Sequence, residues 1–437
     1  MEIFITVFSF TFSLLGLWWE IRNILKNKSL TISSLVGIMF VFTYGILPLA
    51  VMLMHISSGF SISTIYYLYD YSDDGLSQTF VWQTLGILAY IIIRYSTRKV
   101  NRVTSQNVAR YDCSILQIAT CFSLVIGVIS IYLWSKAFGG IIDLIKVASV
   151  VRSGLSHVDN RLAFFKHSAR LVIITSFSSL LLVKKRHKTV FNMIMFLISF
   201  VFSILFLLAN DGRMSFAMFF IIVIFISLDI FSEKEFTRKK LVLLCVMACM
   251  AMIFMLKLDS LTYYIKHGTF EPSSKNSFLE STVNEFAYIM ISGQKAVKHA
   301  STLQLLIIDD ILNGIQAWLP TSLKIFDVRN VWDYNTELTT KNFFGQFPCD
   351  FISTSLYDLS YAGPVAFGFA WGFIIKKIEK LKTESTMCSV VIYYALSTSL
   401  FRLVDYCLLY DFVLGIFSIA VFAFIYLITK SIFSRSN

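Results

Sequence analysis

Lys184-Lys-Arg-His-Lys188 leads directly into Thr189-Val-Phe-Asn-Met-Ile-Met-Phe-Leu-Ile-Ser-Phe-Val-Phe-Ser-Ile-Leu-Phe-Leu-Leu208. That run ends at Ala209-Asn-Asp-Gly-Arg213, where the next apolar run begins. About twenty consecutive uncharged residues is the length an α-helix needs to cross a hydrocarbon core roughly 30 Å thick. A basic run at one end and a turn of a few residues at the other describe a span joined to its neighbours on opposite faces of a membrane. The rest of the chain repeats this unit.

The composition agrees with that reading. The chain has 437 residues, of which 56% are hydrophobic, and a mean hydropathy of +0.70, which excludes a soluble globular protein. The seven cysteines are scattered, with no disulfide framework or ligand cluster, and the six histidines form no metal pattern. The first apolar run starts at Ile3 with no preceding Lys or Arg. It lacks the basic region of a cleaved signal peptide and is expected to stay in the mature protein.

Candidate spans cover 3–19, 31–54, 79–95, 113–134, 169–183, 189–208, 214–231, 241–256, 360–375, 387–403 and 411–429. The expected fold is an all-α polytopic integral membrane protein with about eleven transmembrane helices. The formal net charge of +11 is distributed in a way that argues for membrane topology and against nucleic acid. Arg22, Lys26 and Lys28 follow the first span, and Arg94, Arg98, Lys99, Arg102 and Arg110 follow the third. The run at 184–188 follows the fifth, and Lys234, Arg238, Lys239 and Lys240 follow the seventh. Lys376, Lys377, Lys380 and Lys382 follow the ninth, and Lys430 and Arg435 end the chain. Every second connection is short and basic, so the positive-inside rule puts these connections in the cytoplasm with the C-terminus, and the N-terminus outside.

Three larger segments fall on the external side. Residues 55–78 carry Asp70, Asp73 and Asp74 and no Lys or Arg. In 135–168, Ile141, Leu144, Ala148 and Val151 mark a short interfacial helix stopped by Gly154. The third is the stretch from Lys257 to Leu359, about a hundred residues inserted between the eighth and ninth spans of a single membrane domain (1–437), and a loop that long is either structured or disordered. Its pattern argues for structure. Ser277-Phe-Leu-Glu280 reads as a capping box ahead of Phe278, Thr282, Phe286 and Ile289. Ser301-Thr-Leu-Gln304 reads as a second box, opening Leu305, Ile308, Leu312, Ile315 and Leu319 until Pro320. Two amphipathic helices over a bundle suggest the floor and lid of a site.

The external arginines are few and sit where spans begin or end: Arg152, Arg161, Arg170, Arg213, Arg329 and Arg402. Charge this close to hydrocarbon is costly unless it snorkels, pairs or faces a wet cavity. Arg213, in a minimal turn beside Gly212, is the most exposed to that cost. A guanidinium fork matches phosphate oxygens in a bidentate way that Lys cannot. Arg152, His157, Asp159, Arg161, Lys166, His167 and Arg170 form a second basic group, for which an anionic lipid head or a pyrophosphate is the natural partner. General-base candidates in the long loop are numerous: Glu280, Glu285, Asp309, Asp310, Asp327, Asp333, Glu337, Asp350, Asp358 and His299. Glu285, Asp350 and His299 are carried forward as catalytic candidates together with Arg213.

Three stretches resemble the bacterial O-antigen and oligosaccharide repeat-unit polymerases of the Wzy type. Ala209-Asn-Asp-Gly-Arg-Met-Ser215 is similar to the Gly-Arg turn that opens a middle helix in that family. Trp318-Leu-Pro-Thr-Ser322 is similar to a segment of its large periplasmic loop. The run from Asn335-Thr336 through Phe347-Pro348 to Tyr357, Gly363 and Gly368 resembles its return to the membrane. The resemblance implies a metal-independent integral-membrane glycosyltransferase of the GT-C type, without cofactors, in the bacterial inner membrane. It would act on undecaprenyl-pyrophosphate-linked oligosaccharides at the periplasmic face. Arg152, Arg161, Arg170, Arg213 and Arg329 would hold the pyrophosphate, and Trp318, Trp332, Tyr334 and Tyr357 would serve as sugar platforms. The implied partners are the lipid-linked oligosaccharide, membrane lipid and a chain-length regulator protein, with no nucleic acid. An O-antigen ligase and a lipid-linked oligosaccharide flippase are the rival readings. A flippase favours internal repeats and charges buried mid-span, and the sequence shows little of either.

Overall fold

The computed structural model describes residues 2–27, 30–58, 75–95, 110–152, 161–185, 187–210, 213–227, 286–319, 329–339, 346–382 and 386–435, with isolated positions between 242 and 283. Among them every regular element is a helix. These are α1 (Glu2–Asn27), α2 (Ile32–Val41), α3 (Leu47–Ser58), α4 (Gly75–Tyr95), α5 (Arg110–Lys136), α6 (Ile141–Arg152), α7 (Lys166–Ala169), α8 (Leu171–Lys184), α9 (Thr189–Ala209) and α10 (Arg213–Ser227). The long loop then contributes α11 (Tyr288–His299), α12 (Leu306–Gln316), α13 (Val331–Thr339) and α14 (Phe351–Leu359). The chain ends in α15 (Gly363–Leu381), α16 (Met387–Arg402) and α17 (Leu409–Arg435).

Five segments among the described residues are long and apolar enough to cross a membrane: Ile32–Met54, Asp112–Lys136, Lys166–Lys184, Thr189–Ala209 and Leu409–Ser434. Two shorter apolar helices cover Ser215–Ser227 and Met387–Arg402. Each matches a run read from hydropathy. Of the expected span at 241–256, only isolated positions are described.

Close approach of helices depends on small side chains where lipid supplies no hydrophobic drive. One such close pair among the described residues is α4 with α15. A Cβ added at Gly368 would meet the Gly86 carbonyl oxygen at 2.2 Å, and one at Gly372 would meet Ile93 Cβ at 2.9 Å. In the α8–α9 pair, hydroxyls cross the interface, Ser176 to Ser203 at 3.0 Å and Ser179 to Ser199 at 3.5 Å. At the basic end of the bundle, Arg94 donates to both carboxylate oxygens of the buried Glu20 and to Ser34 Oγ.

The described part of the long loop is built into this core. Tyr288 through Gln294 are all buried, and Tyr288 Oη donates to the Asp405 carbonyl at 2.9 Å. Asn335 Nδ2 donates to Ser292 Oγ and to the carbonyls of Phe347 and Pro348. The stretch ahead of α14 is sewn to the α16–α17 link by Cys407 N–H to Cys349 O at 2.8 Å and Phe351 N–H to Val404 O at 3.1 Å. Between α2 and α3 a π-helical turn, Phe42–Ile46, carries Thr43 and Tyr44. Thr43 donates to Asp405, and Tyr44 donates to Asp350 Oδ2 at 2.6 Å.

Two expected helix starts need comment. The box at 277–280 lies outside the described residues, as do Phe278 and Thr282, while Phe286 and Ile289 are buried as their stripe requires. The second box does not cap a helix. Ser301 to Gln304 are exposed, Leu305 is left-handed with φ 54°, and α12 begins at Leu306 with no side-chain cap from its own N-cap residue. Asp358 of α14 supplies the acceptor instead, taking the Ile307 N–H at 2.6 Å. A carboxylate from another helix satisfies an orphan donor as well as a local Ser does. The short helix expected around Ile141 is α6, with Leu144 and Ala148 buried.

Candidate functional site

One cavity of about 110 Å³ opens among α8, α9, α10, α16 and α17. It lies at the ends of α8, α9, α16 and α17 remote from Lys184, Lys188, Lys382 and Lys430. Its wall is apolar along Ile173, Phe206, Met218, Phe219, Phe412 and Ile419 and polar at Asn210, Ser215, Arg170, Arg402 and Asp411. That mixture of a greasy wall and a few convergent polar groups is what a ligand site needs.

Helix ends position the charges. Arg402 closes α16, Asp411 lies in the first turn of α17, and Arg170 sits between α7 and α8. Arg402 Nη1 is 3.4 Å from Asp411 Oδ2 and 3.3 Å from Ser215 Oγ. The Arg402 guanidinium lies 5.7 Å from the centroid of the Tyr406 ring, and its Nε is buried with no hydrogen-bond partner. Arg170 Nη2 is 3.8 Å from Asp411 Oδ1, and Nη1 donates to the Asp411 carbonyl at 3.2 Å. Lys166 is also close enough for its charge to act on Asp411, and its ammonium lies 5.9 Å from the centroid of the Trp134 ring. Two guanidiniums and an ammonium thus surround a single carboxylate. The cluster carries excess positive charge, and Arg402 Nε–H is an unspent donor within it. Such an arrangement accepts an anion.

The proposed residues fall in different places. Arg170 belongs to the cavity. Arg402, to which the sequence assigned no role, is its second guanidinium. Arg213 opens α10 two residues before Ser215, and Arg152 ends α6, while Arg161 opens a short 3-10 turn, Arg161–Phe165. The side chains of Arg213, Arg152 and Arg161 lie outside the described structure, as does Glu285. Arg329 stands apart from the cavity, paired with Glu337 and lying over Tyr334 at 5.0 Å.

Asp350 is fully buried and serves as the N-cap of α14, accepting from the Ile352 and Ser353 N–H groups, from Ser353 Oγ and from Tyr44. Burial pushes its carboxyl above the usual range despite those donors. Its lone pairs are spent inside the protein, so its place is structural. His299 ends α11, half-buried and outside the cavity wall; burial and then the neighbouring Lys295 and Lys298 hold its imidazole below its usual range. It is therefore neutral at pH 7.

Of the aromatics, Tyr357 is fully buried, donating to Asn335 Oδ1 at 2.8 Å, and it offers no face to a sugar. Tyr334 packs edge-on against Tyr357. Trp318 packs on Phe417 of α17. Trp332 packs on the cavity-lining Tyr406, with ring centroids 6.0 Å apart, and its Nε1 donates to the Cys407 carbonyl at 3.2 Å.

Comparison with known protein families, curated protein sequences and solved structures finds no match. The site therefore stands on its geometry. Among the described residues no group of three or more His, Cys, Asp or Glu side chains is placed to hold a metal ion. Asp411, the residue that gathers the two arginines, was missed by sequence reasoning. The available signal was a lone carboxylate in the first turn of an apolar span, a placement that is costly without a partner.

Proposed function

We propose that this chain is a polytopic glycosyltransferase with about eleven transmembrane helices that polymerises undecaprenyl-pyrophosphate-linked oligosaccharide repeat units at the external face of a bacterial inner membrane. The observation that carries the proposal is the convergence of Arg170 and Arg402 on Asp411 at the mouth of an apolar cavity. A polyprenyl pyrophosphate is an anion joined to a hydrocarbon chain, and this cavity offers a cationic end and an apolar wall. The alternation of basic connections supports an external mouth, where the proposed donor would be presented.

In the proposed reaction the acceptor hydroxyl oxygen attacks the anomeric carbon of the donor, and the bond from that carbon to the pyrophosphate oxygen breaks. Negative charge develops on the departing pyrophosphate, where guanidinium donors stabilise it more than in the ground state. The hydroxyl proton passes to a base, for which neutral His299 and Glu285 are the candidates from the loop. Trp332, packed against Tyr406, is the favoured sugar platform. Reconstitution tests the proposal: purified protein in liposomes, given the lipid-linked repeat unit, should yield a ladder of lengthening chains and free undecaprenyl pyrophosphate. In cells, deletion should remove the ladder and leave a single repeat on the surface glycan. Loss of all attached glycan would instead indicate a ligase or a flippase.

A further inference from the structure

We infer that Leu306–Leu319 is a re-entrant segment whose outward face lies in the acyl chains of the external leaflet, so that α12 is a lipid-embedded helix and not an aqueous lid. After Leu306, α12 buries polar and small residues on its protein side and is apolar on its free side. Leu306, Asp310, Gly314 and Ala317 are buried, while Ile308, Ile311, Ile315 and Leu319 are exposed by 50%, 38%, 47% and 40%. An amphipathic helix resting on a protein in water shows the opposite pattern. Four exposed aliphatic side chains in a continuous stripe meet an apolar solvent.

The contacts fix how deep the helix goes. Asp310 Oδ2 accepts the N–H of Leu409, the first residue of α17. One turn later a Cβ on Gly314 would meet Val413 Cβ at 2.7 Å, and one turn after that Trp318 packs on Phe417 at 5.2 Å. Thus α12 runs parallel to α17, which is apolar enough to span the membrane. Phe417 is eight residues into that span, about 12 Å below Leu409 at 1.5 Å per residue. The chain then returns, because Asp310 Oδ1 accepts the N–H of Val331. Descent and return are pinned to one carboxylate at the surface end.

The exposed residues follow the same gradient. Ser301, Thr302 and Gln304 lie exposed before the helix, Asp309 is in its first turn, and Trp318 and Leu319 are at the deep end. At eleven residues the helix is about 16 Å long, half of a hydrocarbon core roughly 30 Å thick. The cavity residues Asp411, Gly415 and Ser418 and the α12 contacts Tyr410, Val413 and Phe417 lie on opposite faces of α17, at about 100° per residue. The inference therefore does not depend on the cavity's function.

The test places a nitroxide, carried on a genetically encoded ketone amino acid, at Ile308, Ile311 or Ile315 in protein reconstituted in liposomes. Thr302 serves as the exposed reference. Collision rates are measured with oxygen, which concentrates in lipid, and with a water-soluble nickel chelate. The expected result is oxygen access at all three positions, nickel access only at Thr302, and an oxygen-to-nickel ratio rising from Ile308 to Ile315. Nickel access equal to that of Thr302 would make α12 an aqueous lid. Exclusion of both probes would mean that protein covers the face. Either outcome overturns the inference.

Discussion

Arg402 is the side chain whose removal tests the site most directly. If it stabilises the departing pyrophosphate, Arg402→Ala loses a charge-assisted donor used most in the transition state, at a cost of about 2.7–4 kcal/mol or 10²–10³ in rate. Arg402→Lys keeps the charge but not the fork, and should recover only part of the loss. Asp411 acts through the arginines, so its effect should be coupled to theirs. The pair is 3.4 Å apart, with side chains 24% and 31% exposed. At an effective dielectric near 20 the Coulomb energy is about 5 kcal/mol before desolvation is subtracted. Net coupling between contacting residues in such a network runs about 0.5–3 kcal/mol. Asp411→Asn should therefore cost much less in the Arg402→Ala background than alone. The assay is chain elongation by reconstituted protein, with membrane abundance measured for each variant. Full ladders from well-inserted Arg402→Ala protein, or strictly additive losses in the double variant, would refute the reasoning.

Arg213→Ala should also shorten the ladder, by roughly thirty- to a thousandfold in rate if its guanidinium joins the pyrophosphate site, with Lys restoring only part; a chain-length gel on variants of matched abundance checks it. Asp358 has its carboxyl pushed up to about 7, chiefly by burial, with Asp309 adding to the effect and the Ile307 N–H opposing it. Its folded pKa lies above the unfolded value of about 3.9, so the native state binds the extra proton. Its contribution to stability is full below about pH 4 and is lost as pH rises through about 7. Asp358→Asn keeps an acceptor for Ile307 N–H, so it should raise the midpoint of thermal unfolding in detergent at pH 8 and leave it little changed near pH 4. Gly368→Val places a side chain against the Gly86 carbonyl, which a Cβ alone would meet at 2.2 Å; the α4–α15 pair should separate, read as loss of folded protein on size-exclusion chromatography.

Legibility in the sequence followed the range of the forces involved. Burial of apolar surface in lipid is a property of consecutive residues, so Ile32–Met54, Asp112–Lys136 and Thr189–Ala209 were readable almost to their ends. The arginines were readable as a class, because charge at the edge of hydrocarbon demands a partner. Which partner was not readable: Arg170 and Arg402 are 232 positions apart, and only packing brings both to Asp411. The same limit explains the loop. Ser301-Thr-Leu-Gln304 has the right spacing for a capping box, but local hydrogen bonding is worth about 1 kcal/mol, and α14 offers competing acceptors: the Tyr357 carbonyl takes the Gln304 N–H and the Asp358 carboxylate takes the Ile307 N–H. Hydropathy also passed over α12, because Asp309, Asp310, Asn313 and Gln316 interrupt its apolar residues. Asp310 is the reason that interruption is tolerable. Its two oxygens are taken by the N–H groups of Val331 and Leu409, so the polar residue that disguises the segment in the sequence is the one that fastens it against α17.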